Sequence, residues 1–262
     1  MKNKYILVTA AKNEGENLPK TIQSVAAQTI KPLVWVIVDD ASTDNTPQIL
    51  EDASRRYEWI KTIRLEERSE RDLGFHLSRV VKMAFDFAAD YCREKGLDYE
   101  YMGNIDGDMI IEREFFEKLI REFEKDSKLG IAGSGTQYIV NGKIIQPKGE
   151  EDEPSGGDML MRRECFEDCS GIQITWSWDS TLKAKIRGWK VRRFEHVKAI
   201  EARLVGSVEG YWERYKHMGE AAYYFNLHPV HVVLNAQQSA LQRHRIYRRL
   251  LFLSSEKKGK DR

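Results

Sequence analysis

Leu33-Val34-Trp35-Val36-Ile37-Val38-Asp39-Asp40-Ala41-Ser42-Thr43-Asp44-Asn45-Thr46-Pro47 is the stretch on which the architecture turns. Six apolar residues, Leu33 to Val38, run without interruption into two carboxylates. A short, unbroken apolar run of this kind reads as a strand. Ser42, Thr43 and Asp44 supply turn chemistry, and Asn45 and Thr46 are cap candidates with Pro47 in the first turn of a helix that runs to about Arg56. The stretch is therefore a strand, a polar turn and a helix.

The same alternation extends in both directions. Upstream, Tyr5 to Thr9 is a short apolar run, and Leu18, Ile22, Val25 and Ala26 follow at helical spacing. Downstream, Leu77, Val81, Ala84, Ala88 and Tyr91 form the buried stripe of a longer helix that Gly96 ends. Tyr99 to Ile105 reads as a strand, Phe116, Leu119, Ile120 and Phe123 as an amphipathic helix, and Gly130 to Ser134 as another strand. Strands alternating with helices of this length predict an α/β fold with a mostly parallel central sheet flanked by helices, whose ligands bind at the carboxyl ends of the strands. Beyond Ser134 the pattern changes. Asn141-Gly142 between short apolar stretches predicts a hairpin over Tyr138 to Ile145, and Gln146 to Gly157, with four consecutive acids, reads as a surface loop and a candidate lid.

Composition bounds the rest. The 262 residues carry 42 Lys plus Arg against 41 Asp plus Glu, so no strong overall field points to nucleic acid. The charge is uneven: from Arg243 onward eight basic residues face two acidic ones, leaving a net charge of −5 on the preceding body. An apolar fraction of 41% excludes intrinsic disorder, and no window approaches a membrane span. The opening apolar run is too short for a signal peptide, so a cytoplasmic location is expected. Cys92, Cys165 and Cys169 are too few for a disulfide framework, and Cys165 and Cys169 read as packing residues rather than as a metal site. The expected organisation is a domain over 1–205 and a C-terminal helical appendage over 206–262, both within one structural unit.

Three constellations carry chemistry. Asp39-Asp40 at a strand end can accept hydrogen bonds from a base or ribose, or can be an ordinary polar turn. In Asp106-Gly107-Asp108, two carboxylates separated by one glycine can face a divalent cation that bridges nucleotide phosphates; the alternative is an Asp-Gly turn. In Trp178-Asp179, a carboxylate beside an aromatic ring suits a general base for a sugar hydroxyl, and an N-cap explains it equally well.

In order and spacing these pieces resemble the family 2 glycosyltransferases of GT-A fold. Val8 to Leu18 is similar to that family's first strand and loop, Val38 to Asp44 to its nucleotide-binding turn, and Asp106-Gly107-Asp108 to its DXD motif. Gly156 to Arg163 is similar to the acceptor-side strand, with Asp179 where the base aspartate falls. Gly219 to Tyr224, through His228-Pro229, resembles the C-terminal segment of a soluble bacterial and archaeal subgroup, so that the likeness covers roughly residues 5 to 235.

The resemblance implies an inverting, metal-dependent transfer of a sugar from a nucleoside diphosphate sugar, a UDP-sugar foremost, to a glycan or lipid-linked acceptor. It places Thr9, Asn13 and Glu14 beside the nucleobase and ribose, Asp39 on the uridine-like part and Arg71 on base or phosphate. Asp106 then meets the ribose or the metal, Mn²⁺ or Mg²⁺, Asp108 holds the metal, and Asp179 is the catalytic base. Gly157, Asp158 and Trp178 fall on the acceptor side. Many relatives carry a further histidine ligand after the last strand, where this chain has Val197 to Arg203; Glu201 is the expected substitute, and His196 is the other candidate. The Gln-x-x-Arg-Trp motif of processive synthases is absent.

A sugar-nucleotide nucleotidyltransferase would show a glycine-rich phosphate loop after the first strand, whereas Ala10 to Leu18 holds one glycine. A catalytically weak nucleotide-sugar-binding protein is the other alternative. Tyr211, Trp212, Tyr215, Tyr223, Tyr224 and Phe225 read either as acceptor contacts or as a helix packed on the sheet. The basic Leu241 to Leu253 segment reads as a peripheral contact with the inner face of the membrane, as a solvated terminal helix or as a dimer contact.

Overall fold

The computed structural model describes residues 5–66, 75–140, 143–146, 151–171 and 177–203, together with Gly219, Tyr223 and Val230. The chain divides into two units, Met1–Gly210 and Tyr211–Arg262. The expected boundary at 205/206 falls outside the described residues, as do the basic tail and, Tyr223 apart, the aromatic residues from Tyr211 to Phe225.

The first unit opens with β1 (Tyr5–Ala11), α1 (Leu18–Ala26), β2 (Trp35–Asp39), α2 (Thr46–Arg56) and β3 (Ile60–Arg64). It continues with α3 (Phe75–Lys95), β4 (Tyr101–Ile105), β5 (Met109–Ile111), α4 (Phe115–Lys125) and β6 (Leu129–Ser134). The hairpin β7 (Gln137–Val140) and β8 (Lys143–Ile145) follows, then β9 (Asp158–Arg162), α5 (Arg163–Asp168), α6 (Ser177–Ile186), β10 (Lys190–Phe194) and β11 (Ala199–Glu201).

Seven strands form the central sheet in the order β10-β6-β9-β4-β1-β2-β3. The pairs β1–β2, β2–β3, β1–β4 and β6–β10 are parallel, whereas β9 runs antiparallel to both β4 and β6. The carboxyl ends of β1, β2, β4, β6 and β10 therefore share one rim with the amino end of β9. A second sheet, β5-β11-β7-β8, joins the strand that leaves the Asp106-Gly107-Asp108 turn to the hairpin and to β11.

Strand alternation sorts the core into two layers. Tyr5 and Leu7 of β1 and Trp35 and Ile37 of β2 pack with Leu18 and Ile22 of α1, Leu50 of α2 and Phe116, Leu119 and Phe123 of α4. Ile6, Val8, Val36 and Val38 face the other way, onto Val81, Ala84, Phe85 and Ala88 of α3 and Ala184 of α6. Each large side chain buried in this way stabilises the fold by about 1.5–3 kcal/mol. Cys92, Cys165 and Cys169 are free and buried, in keeping with packing.

Part of the Gln146–Gly157 loop is anchored. The Arg193 amide donates to the Glu151 carbonyl and Lys185 Nζ meets Asp152 Oδ2 at 2.7 Å, while residues 147–150 lie outside the described set.

Candidate active site

The rim gathers the expected site residues by topology. Asp39 ends β2, Asp106 follows β4, and the register of the antiparallel pair sets Asp158 opposite Ile105. Helix α6 packs on β10 and β6 and leads into β10 at the far edge, with Asp179 in its first turn.

The loops after β1 and β2 are cross-linked. The Asn13 amide donates to Ser42 Oγ, and Asn13 Oδ1 accepts from the Thr43 amide at 2.8 Å. The Glu14 amide donates to Thr46 Oγ1, and the Gly15 amide to Asp44 Oδ2. Asn13 (φ 54°) and Ala41 (φ 51°) both hold the left-handed conformation, which for Ala costs roughly 1 kcal/mol and persists because these bonds over-determine it. Asn45 precedes α2 without a side-chain cap bond; instead Asp44 Oδ1 accepts from the Thr46 amide.

Asp39 is buried, and its Oδ1 accepts from the Ser42 amide at 2.9 Å. Its Oδ2 lies 3.2 Å from Arg64 Nη1, outside hydrogen-bonding alignment, and receives no hydrogen bond among the described residues. Asp40 belongs to the opposite face, where Oδ1 meets His76 Nε2 at 2.9 Å and Oδ2 meets Lys12 Nζ at 3.3 Å.

Thr9, expected beside the nucleobase, has the strand parity of Tyr5 and Leu7 and is fully buried. Its hydroxyl donates to the Ile105 carbonyl and accepts from Trp35 Nε1 at 3.0 Å, so the side chain ties β4 to the sheet instead of reaching the rim surface.

Around the Asp106-Gly107-Asp108 turn the acids crowd together. Asp106 Oδ1 accepts from Asn104 Nδ2 at 3.0 Å, and its amide donates to the Gly157 carbonyl. A Cβ on Gly157 would stand 2.7 Å from Asp106 Oδ2, so glycine there permits the approach of the two segments. Asp158 is fully buried; Ser134 and Thr136 hydroxyls donate to its Oδ2, while Oδ1 has no hydrogen-bond partner among the described residues. Burial, with the Asp106 charge adding to it, pushes the Asp158 carboxyl up to about 8. Glu201, at the end of β11, is pushed up to about 8 by burial and then by the charges of Asp108, Asp106 and Asp158, although it shares a hydrogen bond with Tyr138. Burial likewise raises the Glu14 carboxyl, against the lowering influence of Arg203.

His196 is directed elsewhere: it is exposed, and Nε2 lies 3.5 Å from Glu122 on α4. Of the two candidates for the further ligand, Glu201 is the one within the electrostatic reach of Asp106 and Asp108.

Asp179 is buried and is the third residue of α6, inside the first turn and three positions past the cap position. Its Oδ2 meets Lys183 Nζ at 2.6 Å, one turn along the helix. The Trp178 side chain and all of Arg71 lie outside the described residues.

Five basic side chains at these carboxylates escape a reading by motif: Arg64 on Asp39, Lys12 and His76 on Asp40, Lys183 on Asp179, and Arg203, which contacts both Glu14 and Asp108. Lys183 could have been found from its i,i+4 spacing to Asp179. Arg203 lies 189 residues from Glu14, and no local signal connects them.

Oxygen donors of this kind suit Mg²⁺ or Mn²⁺. Among the described residues no three acidic, histidine or cysteine side chains converge into a cage. The donor set fits a cation held by one or two carboxylates and completed by phosphate oxygens, the usual arrangement for Mg²⁺ at nucleotides. The raised Glu201 and Asp158 carboxyls mark a cluster holding more potential negative charge than it can keep ionised unaided.

Residues 6–178 match the model of glycosyl transferase family 2, and the chain belongs to that family. Its α/β architecture is the GT-A fold. In sequence it is 29% identical over 216 residues to the poly-beta-1,6-N-acetyl-D-glucosamine synthase of Staphylococcus epidermidis, covering 75% of this chain and 47% of that protein. The Staphylococcus aureus synthase of the same name is 26% identical over 139 residues, which are 53% of this chain and 30% of that protein. The chain thus spans about half or less of these relatives. Among solved structures, residues 1–349 of S. aureus TarS in complex with UDP-GlcNAc superpose with a TM-score of 0.61 at 16% identity, over 87% of this chain and 69% of that one. A mannosyltransferase from Pyrobaculum calidifontis in complex with GDP-Man and Mn²⁺ gives 0.60 at 15%, over 83% and 62%. At such identities these two likenesses show the fold.

Proposed function

We propose that the chain transfers a sugar from a UDP-sugar, UDP-GlcNAc being the first donor to test, to a hydroxyl of a glycan or lipid-linked acceptor, with inversion at the anomeric carbon. The observation that carries the proposal is the assembly of Asp39, Asp106, Asp108 and Asp158 on one rim of the sheet, where α/β folds bind ligands. The curated relatives, named as N-acetylglucosamine polymer synthases, and the UDP-GlcNAc complex of TarS support the choice of donor.

In this reading the buried Asp39 Oδ2 accepts from the nucleobase, since a buried acceptor without a donor is costly and a base N–H supplies one. The rigid loop pair around Asn13 and Glu14 presents its edge to base and ribose, and Arg71 contributes from the segment after β3. Asp106 positions the ribose side of the donor, and Asp108, with Glu201, holds the cation. Mn²⁺ or Mg²⁺, when bound, neutralises charge on the departing diphosphate. Gly157 and Trp178 contribute to the acceptor side, and the fully buried Asp158 supports it from within and not as a surface contact. Asp179 takes the proton of the acceptor hydroxyl as its oxygen attacks the anomeric carbon from the face opposite the nucleotide, and Lys183 fixes the carboxylate that receives it.

The family match stands against the nucleotidyltransferase alternative. The test is turnover of UDP-GlcNAc with Mn²⁺ on a panel of glycan and lipid-linked acceptors. Asp179→Asn is expected to lose several orders of magnitude in turnover while keeping nucleotide affinity, and Asp108→Ala to lose metal-dependent nucleotide binding. Full turnover in Asp179→Asn would remove the base assignment.

A further inference from the structure

The guanidinium of Arg203 occupies the acidic site from the protein side. Its Nε lies 3.1 Å from Asp108 Oδ2, and its Nη2 hydrogen-bonds Glu14 Oε1. The preceding residue is fixed to the same turn, because the Ala202 amide donates to the Asp108 carbonyl at 2.9 Å. Three segments far apart in sequence thus meet on one side chain: the loop after β1, the turn after β4 and the end of β11. Glu14 and Asp108 are both largely buried, and the guanidinium itself is about one quarter exposed, at 24%. A planar fork with donors on two edges can satisfy two carboxylates at once, which a lysine ammonium cannot do with the same geometry.

A divalent cation on Asp108 would compete with this arrangement. Both positive groups need the same carboxylate, and a guanidinium left a few ångströms from a divalent ion is repelled by it. Phosphate oxygens resolve the conflict, since they offer the guanidinium a new anionic partner as the cation takes Asp108.

We propose that Arg203 is a positioning residue that makes metal binding conditional on the nucleotide: it neutralises Asp108 in the nucleotide-free chain and gives that carboxylate up when the diphosphate arrives. This rests on the metal-dependent reading above and adds an order of assembly to it, in which metal alone binds weakly and metal with nucleotide binds strongly. The device also keeps Glu14 and Asp108 from repelling one another before the donor enters.

The test measures Mn²⁺ binding to the full chain by the loss of the free-ion EPR signal, with and without UDP, and needs no turnover. Wild type is expected to bind Mn²⁺ weakly alone and at least about tenfold more tightly with UDP. Arg203→Met is expected to bind Mn²⁺ alone about tenfold more tightly than wild type, with a smaller gain from UDP, and Asp108→Asn in the same background is expected to abolish the gain in affinity. Arg203→Lys, which keeps the charge but loses the fork, should fall between wild type and Arg203→Met, and serves if Arg203→Met melts too early to titrate. Mn²⁺ affinity in both variants equal to or below that of wild type, or absent altogether, overturns the proposal. Wild-type turnover insensitive to EDTA would instead overturn the metal-dependent reading, a separate result from the ranking of the variants.

Discussion

Lys183 Nζ stands 2.6 Å from Asp179 Oδ2, one helical turn further along α6, and both side chains are sheltered from solvent. Because the pair is sheltered, removing the ammonium deprives a buried carboxylate of its counter-charge, which costs about 3–5 kcal/mol of stability and also frees the carboxylate to turn. Lys183→Met is expected to lower kcat roughly ten- to a hundredfold with little change in the KM for nucleotide sugar, since a misplaced base costs rate and not donor binding. Steady-state kinetics with the donor varied would check this; an unchanged kcat would reduce Lys183 to a helix-surface partner.

Gly157 offers a steric test of the rim. The Cβ of an alanine would fall 2.7 Å from Asp106 Oδ2, and the Asp106 amide already donates to the Gly157 carbonyl, so the two segments have little freedom to part. Gly157→Ala is expected to displace the Asp106 carboxylate, weaken UDP binding roughly tenfold and cost about 1–3 kcal/mol of stability. Isothermal titration with UDP and Mn²⁺, beside a thermal melt, reads both; unaltered UDP affinity would show that Asp106 plays no part in donor binding.

The Asp158 carboxyl, pushed up to about 8 from an ordinary value of 3.8, has a stability consequence of defined sign. Between these values the folded chain keeps a proton that the unfolded chain has lost, so the contribution is complete below about 4 and disappears as the pH rises through about 8. Glu201, also pushed up to about 8, acts in the same direction. In EDTA, the wild-type Tm is expected to fall between pH 5.5 and 8.5, and Asp158→Asn to fall less. Parallel Tm profiles for the two proteins would rule the group out as the source.

The basic segment from Leu241 to Leu253 supplies a prediction about the acceptor. Peripheral contact with an anionic surface implies that the full chain sediments with phosphatidylglycerol-containing liposomes at low salt and is released at high salt. Neutral liposomes provide the control, and failure to sediment at low salt would remove the membrane contact.

The legible parts of the sequence were those with a strong local signal. Leu33 to Val38 announced β2, and the helical spacing of Phe116, Leu119, Ile120 and Phe123 announced α4, because burial imposes a period on the chain. Strand β3 escaped, since Ile60-Lys61-Thr62-Ile63-Arg64 lies at the sheet edge and only Ile60 is fully covered. The three-residue strands β5 and β11 are too short to show a period. The direction of β9 was equally hidden: Met159-Leu160-Met161 reads as a buried run either way, and only pairing with β4 and β6 decides. Among the candidate site residues, Asp39, Asp106 and Asp108 were legible because each stands at or just past the end of a recognisable apolar strand, whereas Asp158, Asp179 and Glu201 took their expected roles only from the likeness to the family. Their basic partners were not, because Arg203 and His76 reach them across the fold from positions without a motif. Thr9 shows what parity could have added, as its alternation with Tyr5 and Leu7 already directs it inward.

The reversed course of β9 has a consequence for how such a chain can diversify. Asp158 is placed by its register against Ile105, and the number of residues between Gln146 and Gly157 does not enter into that placement. Under the proposed function, insertions and deletions in that connection would remodel the surface an acceptor meets while Asp158 and the acids of the Asp106-Gly107-Asp108 turn keep their places, so that acceptor choice could vary apart from the chemistry.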